Sequence, residues 1–168
     1  MSTIGLIAGG GRFPILFAES ARRAGHRVVA AAHLNQTDKA LEGLVDACTW
    51  VKLGQFGKVL EARRAGGASG VVLLGSIAKA RFFRDAWLDG LGAQMLAKVA
   101  VRSDDNLLRT IAAMLEERGL PVVDPTPFLQ DRLAPEGMLG RRAPTEDQWA
   151  DARYGLELAR AVGRLDLG

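Results

Sequence analysis

Short apolar runs alternate with segments of helical period along most of this chain. Ile4 to Ala8, Val28 to Ala32 and Gly70 to Gly75 are apolar runs too short for helices, which predicts strands, and Ala47 to Val51 reads as a third strand between them. Gly70 to Gly75 is the clearest, with Val71, Val72, Leu73 and Leu74 between two glycines. Between the runs lie helical patterns. Pro14 to Ala24 places Ile15, Leu16, Ala18 and Ala21 on one face, and Gly25 stops it. Lys39 to Val45 predicts a short helix, and Phe56 to Ala65 a longer one that Gly66-Gly67 ends. Ala78 to Val99 reads as helical in pieces, broken near Gly90 and Gly92. Asn106 to Arg118 shares Leu107, Leu108, Ile111 and Leu115 on a face, with Ser103, Asp104 or Asp105 able to cap it. Leu120 to Val123 predicts a fifth strand, interrupted early by Pro121. Residues 128–144 are irregular. Thr145-Glu146-Asp147-Gln148 is a capping box, and the helix after it presents Trp149, Ala152, Leu156 and Ala159.

This alternation predicts an α/β fold: a Rossmann-like doubly wound parallel sheet of about five strands, ordered 3-2-1-4-5, then a linker and a C-terminal helix. The first domain is expected to span residues 1–131. Residues 132–168 are expected to hold the linker and the first helix of a second domain cut short at Gly168.

Composition narrows the class. The 168 residues are 48% hydrophobic and 24% charged, as in folded globular chains. No apolar run reaches membrane-spanning length, and no basic n-region precedes the first apolar run. Cys48 is the only cysteine, so no internal disulfide forms, as expected of a reducing cytoplasm. The net charge is +3, and no basic stripe or aromatic RNA signature points to nucleic acid.

In an open α/β sheet, ligands bind beyond the carboxyl ends of the strands where the strand order reverses. Here that point lies between the first and fourth strands. These end in Gly9-Gly10-Gly11-Arg12 and Gly75-Ser76-Ile77-Ala78-Lys79, each loop led by glycine and carrying one base. Glycines let a backbone approach phosphate, and the helix beginning near Pro14 aims amides at it. The same glycines also suit a plain tight turn. Pro14 occupies the third-glycine position of a dinucleotide fingerprint, and no Gly-Lys-Ser/Thr follows, so neither a nicotinamide site nor a Walker loop is expected. Lys79 and Arg81 read as diphosphate partners or as solvated charges. Phe82, Phe83, Trp87 and Leu88 read as core rather than as a lipid-facing group. Asp104-Asp105-Asn106 offers oxygen ligands or a helix cap. His26 and His33 read as surface or loop histidines, outside any metal site or Ser-His-Asp triad, and Cys48 as a buried inert thiol.

Several of these segments, in this order, resemble the LpxI family of UDP-2,3-diacylglucosamine pyrophosphatases. They are Gly5 to Pro14, Leu53-Gly54-Gln55, the loop ending in Lys79, Asp104 to Arg109, Val123 to Thr126, Leu133 to Gly137 and Arg142 to Thr145. Gly10 departs from the Asn found in many relatives. The resemblance implies a cytoplasmic hydrolase, peripheral to the inner membrane, that cleaves UDP-2,3-diacylglucosamine to UMP and 2,3-diacylglucosamine 1-phosphate (lipid X) with Mg²⁺. A homodimer is compatible with it. The implied substrate-binding residues are Gly10, Gly11, Arg12, Phe13, Gly75, Ser76, Lys79, Asp104, Asn106 and Thr126. No catalytic residue or metal ligand is assigned, because the family's catalytic aspartate belongs to the second domain. The alternatives are a nucleotide- or phosphate-binding module without hydrolytic activity and an interaction domain docking through the Trp149 helix.

Overall fold

A computed structural model describes residues 2–77, 87–99 and 106–165. Four strands form one parallel sheet: β1 (Thr3–Ala8), β2 (Arg27–His33), β3 (Ala47–Val51) and β4 (Gly70–Leu74), in the order β3-β2-β1-β4. The register sets Ala8 beside Ala32 on one side and Leu74 on the other, so the carboxyl ends of β1, β2 and β4 come level.

Leu120 to Val123 lies where a fifth strand was expected, at the β4 edge, but it is not a strand. One parallel bridge joins Val122 to Val71, with Val71 N–H donating to Pro121 O (2.9 Å) and Val123 N–H to Val71 O (2.8 Å). Pro121 has no N–H to offer a ladder, and the Asp124-Pro125 turn follows at once. Among the described residues the sheet therefore has four strands rather than five.

Alternate strand residues feed two apolar clusters, as pleating requires. Leu6, Ala8, Val28, Ala30, Val72 and Leu74 pack with Phe17, Ala18 and Ala21 of helix α1 (Phe13–Arg23) and with Leu41 and Leu129. Ile7, Ala31, Val51 and Val71 pack on the other face with Val59 of α2 (Phe56–Gly66) and with Leu115 of the helix that precedes Leu120. The buried face of α1 is Pro14, Phe17, Ala18 and Ala21. It is rotated from the expected face, and Ile15 and Leu16 are only half-buried. Helix α3 spans Gly90–Val99 and α4 spans Asn106–Glu116. Lys39–Leu44 is a 3₁₀ turn, with Asp38 accepting from Ala40 N–H.

The end of this unit is tied back onto α1. Phe128 meets Phe17 edge-on, Arg132 pairs with Glu19 at 3.0 Å, and Asp131 pairs with Arg23. Hydrogen bonds to Ser20 and Arg23, and the charges of Arg23 and Arg132, hold the Asp131 carboxyl below the usual carboxylate range. The chain divides into two compact units, Met1–Arg132 and Leu133–Gly168. The second contains α5 (Glu146–Arg164), opened by a complete capping box: Thr145 Oγ1 accepts from Gln148 N–H (3.3 Å), and Gln148 Oε1 accepts from Thr145 N–H (3.0 Å). Trp149, Leu156 and every other described residue of α5 are exposed. No helix among the described residues is long and apolar enough to cross a membrane.

Candidate functional site

The loops after β1 and β4 are joined by backbone hydrogen bonds. Gly9 N–H donates to Leu74 O (2.8 Å), Gly10 N–H to Ser76 O (2.7 Å) and Ser76 N–H to Gly10 O (3.0 Å). Of the expected site residues, Gly10, Gly75 and Ser76 are thus brought together. Their closeness also explains two glycines without any ligand. A Cβ on Gly9 would lie 2.6 Å from Ser76 O, and one on Gly75, at φ +90°, 2.6 Å from Gly10 O.

Gly11 differs. Its φ is +88°, yet nothing lies within 4 Å of where its Cβ would be. Its backbone is left-handed and its Cβ side is open. Gly11, Arg12 and Phe13 are exposed. Arg12 is the N-cap residue of α1, which has no side-chain cap and no acid in its first turn, while Pro14 preorganises that turn. Amides and the positive end of the helix dipole are therefore offered beside a guanidinium, a combination suited to phosphate oxygens.

Four expected residues cannot be placed in this way. Lys79 and Asp104 lie outside the described residues, as do Arg81, Phe82, Phe83 and Asp105. Asn106 begins α4. Thr126 is exposed and directs both N–H (2.9 Å) and Oγ1–H (2.7 Å) to Asp124 Oδ1, holding that carboxyl below its ordinary pKa. Among the described residues, no three His, Cys, Asp or Glu side chains gather to hold a metal ion.

Two features escaped the sequence reading. His33 was expected at the surface; it is 5% exposed, the last residue of β2, with Nδ1 2.9 Å from Ala8 O. Burial lowers its pKa, against the opposing Ala8 hydrogen bond. The register was the available signal, since His33 directly follows an apolar run that ends level with β1. The second is Asp89. Its Oδ2 accepts from Gly57 N–H (2.7 Å) in α2 and its Oδ1 from Gly92 N–H (2.8 Å) in α3, capping two helices with one carboxylate. An acid directly before a helix start was its signal. This places residues 87–92 on the Leu53-Gly54-Gln55 loop, where Trp87 N–H donates to Leu53 O (2.9 Å) and Lys52 Nζ sits 3.8 Å over the Trp87 ring. Trp87 is 66% exposed and Leu88 40%, so neither is core as expected. Cys48 is only half-buried, but burial and the charge of Glu42 push its thiol up to about 11.

Comparisons with known proteins bear on this sheet and its loops. Residues 3–132 match the model of the LpxI N-terminal domain. The UDP-2,3-diacylglucosamine pyrophosphatase LpxI of Caulobacter vibrioides is 31% identical over 171 residues, an alignment covering all of this chain and 60% of that protein. The chain thus spans about three-fifths of the length of that curated relative. Among solved structures, the crystal structure of gox2253 aligns with 71% of this chain and 32% of its own, at a TM-score of 0.38 and 16% identity. The family match takes in the whole four-stranded unit with both of its glycine loops, and this chain belongs to the LpxI family.

Proposed function

We propose that this chain supplies the nucleotide-diphosphate-binding part of a hydrolase that cleaves UDP-2,3-diacylglucosamine to UMP and lipid X in lipid A synthesis. The observation that carries the reading is Gly11: a left-handed glycine with its Cβ side open, between a strand end and an uncapped helix start, beside Arg12. The Caulobacter relative's name supports the substrate.

In this reading the Gly11 N–H and the first-turn N–H groups of α1 donate to a phosphate, and Arg12 holds it by charge-assisted hydrogen bonds. Gly10, Phe13, Gly75 and Ser76 border the phosphate. Lys79 is the second cation, and Asp104, Asn106 and Thr126 orient the substrate. Bound Mg²⁺ would supply charge neutralisation on the diphosphate. The steps assigned to this chain's own described residues are binding and orientation. The enzyme works in the cytoplasm, at the inner membrane where its acylated substrate resides.

Calorimetric titration with UMP tests the binding step. The chain is expected to bind UMP, and Arg12→Ala to weaken binding about tenfold, the value of a lost charge-assisted contact. Absence of UMP binding to the unsubstituted chain would overturn the reading. Incubation with UDP-2,3-diacylglucosamine and MgCl₂ then separates enzyme from module. Release of UMP identifies the hydrolase, and binding without release identifies a nucleotide-binding module that needs further chain to react.

A further inference from the structure

The Gly9–Arg12 turn begins at the carbonyl of Ala8, the last residue of β1. That carbonyl is held in an unusual way. Leu34 N–H points to β3, donating to Val51 O at 2.9 Å, so the neighbouring His33 N–H belongs on the β1 side. It donates to Thr37 Oγ1 at 2.9 Å, and Thr37 Oγ1 donates onward to Ala8 O at 2.6 Å. The His33 ring supplies a second donor to the same oxygen, with Nδ1 at 2.9 Å. A carbonyl only accepts, so this nitrogen carries the proton.

Both side chains are buried, and their loop closes on itself, with Gln36 and Thr37 N–H donating to His33 O at 3.1 and 2.9 Å. The same loop limits the glycine turn at a second point. Gln36 O lies 3.1 Å from where a Cβ on Gly10 would be. The orientation of the Ala8 carbonyl sets the peptide plane from which Gly9 departs, and the loop of residues 33–37 meets the turn at both Ala8 and Gly10.

We propose that His33 and Thr37 are positioning residues that, by donating together to the Ala8 carbonyl, hold the Gly9–Arg12 turn in its phosphate-accepting conformation. This rests on the reading of that turn as a phosphate site. Neither residue touches the ligand. Their effect on affinity passes through order in the turn, because a turn that must be ordered on binding weakens binding.

The test is residue-resolved amide exchange on this chain, paired with UMP titration. Thr37→Val and His33→Leu each remove one donor to Ala8. Each is expected to speed exchange at Gly9 and Gly10, whose N–H groups are bonded to Leu74 O and Ser76 O, about tenfold and to weaken UMP binding about as much, with Val59 and Leu115 amides unchanged. Thr37→Ser and His33→Asn keep a donor and are expected to restore both readouts. Unchanged exchange in the turn, or exchange that rises equally at Val59 and Leu115, overturns the proposal. So does a His33→Asn chain as impaired as His33→Leu. Should the unsubstituted chain fail to bind UMP, the phosphate reading falls, while the exchange data still decide whether these side chains order the turn.

Discussion

Replacing each glycine of the β1 turn by alanine separates two reasons for glycine at one site. At Gly9 the backbone is ordinary, but the added methyl would sit 2.6 Å from Ser76 O and 3.0 Å from the Gly75 carbonyl carbon. These are backbone atoms of the neighbouring loop, so no side-chain rotation relieves the clash. The loops must part, which strains the Gly10–Ser76 hydrogen bonds at 2.7 and 3.0 Å. Overpacking of this kind costs about 1–3 kcal/mol. At about 2–4 °C per kcal/mol for a chain of this size, Gly9→Ala should lower the melting temperature by roughly 2–12 °C. At Gly11 the methyl meets nothing within 4 Å, and the φ of +88° is the sole penalty, about 1–2 kcal/mol. Thermal unfolding followed by circular dichroism reads the stability, and UMP calorimetry reads the site. Gly9→Ala should lose stability more than Gly11→Ala, and Gly11→Ala should lose UMP affinity out of proportion to its stability. A silent Gly9→Ala, or a Gly11→Ala that binds UMP unchanged while destabilised, would refute the division.

Further consequences are as direct. Asp89→Ala removes a cap from both α2 and α3 and should cost about 1–4 kcal/mol in urea unfolding, with Asp89→Asn intermediate; equality of Asp89→Ala with the unsubstituted chain would remove the double cap. His33 titrates below its ordinary value of 6.5 in the folded chain, so the unfolded chain binds more protons as pH falls through that value. The contribution of neutral His33 is full above pH 6.5 and is lost toward its lowered folded value. The melting temperature should therefore fall on acidification below 6.5 with a slope that is shallower in His33→Asn. Cys48, with its thiol pushed up to about 11, should react with a disulfide reagent at pH 8 more slowly than in the urea-unfolded chain. Thr145→Ala should lower the helical circular dichroism signal of α5 and cost about 0.5–2 kcal/mol of helix stability.

Elements set by local pattern were legible in the sequence. Three of the four strands are built on short apolar runs, and the capping box at Thr145 is a property of four adjacent residues. Errors arose where a distant partner decides the outcome. Leu120 to Val123 has strand composition, but Pro121 and the following turn leave it one bridge to β4. The α1 face was misplaced because Phe17 was passed over in favour of Ile15 and Leu16, and only the sheet beneath shows which side is covered. Trp87 looked like core by type. In place it lies exposed beneath the Lys52 ammonium, on a loop that Asp89 joins to a helix 32 residues earlier.

The site shows the same limit more sharply. Two glycine-led loops at the point where strand order reverses do come together, because topology alone brings those strand ends side by side. Composition could not say which glycine serves what. Gly9 and Gly75 permit the loops to touch each other, whereas Gly11 is left-handed with its Cβ side open. His33 and Thr37 were unreadable as members of the site for a related reason. Their partner is a main-chain carbonyl 25 and 29 positions away, and a carbonyl has no residue type to notice. In the proposed reading, a phosphate turn built from backbone is supported by side chains that no ligand-centred motif contains. Its strength is measured through the order of the turn rather than through contact with phosphate.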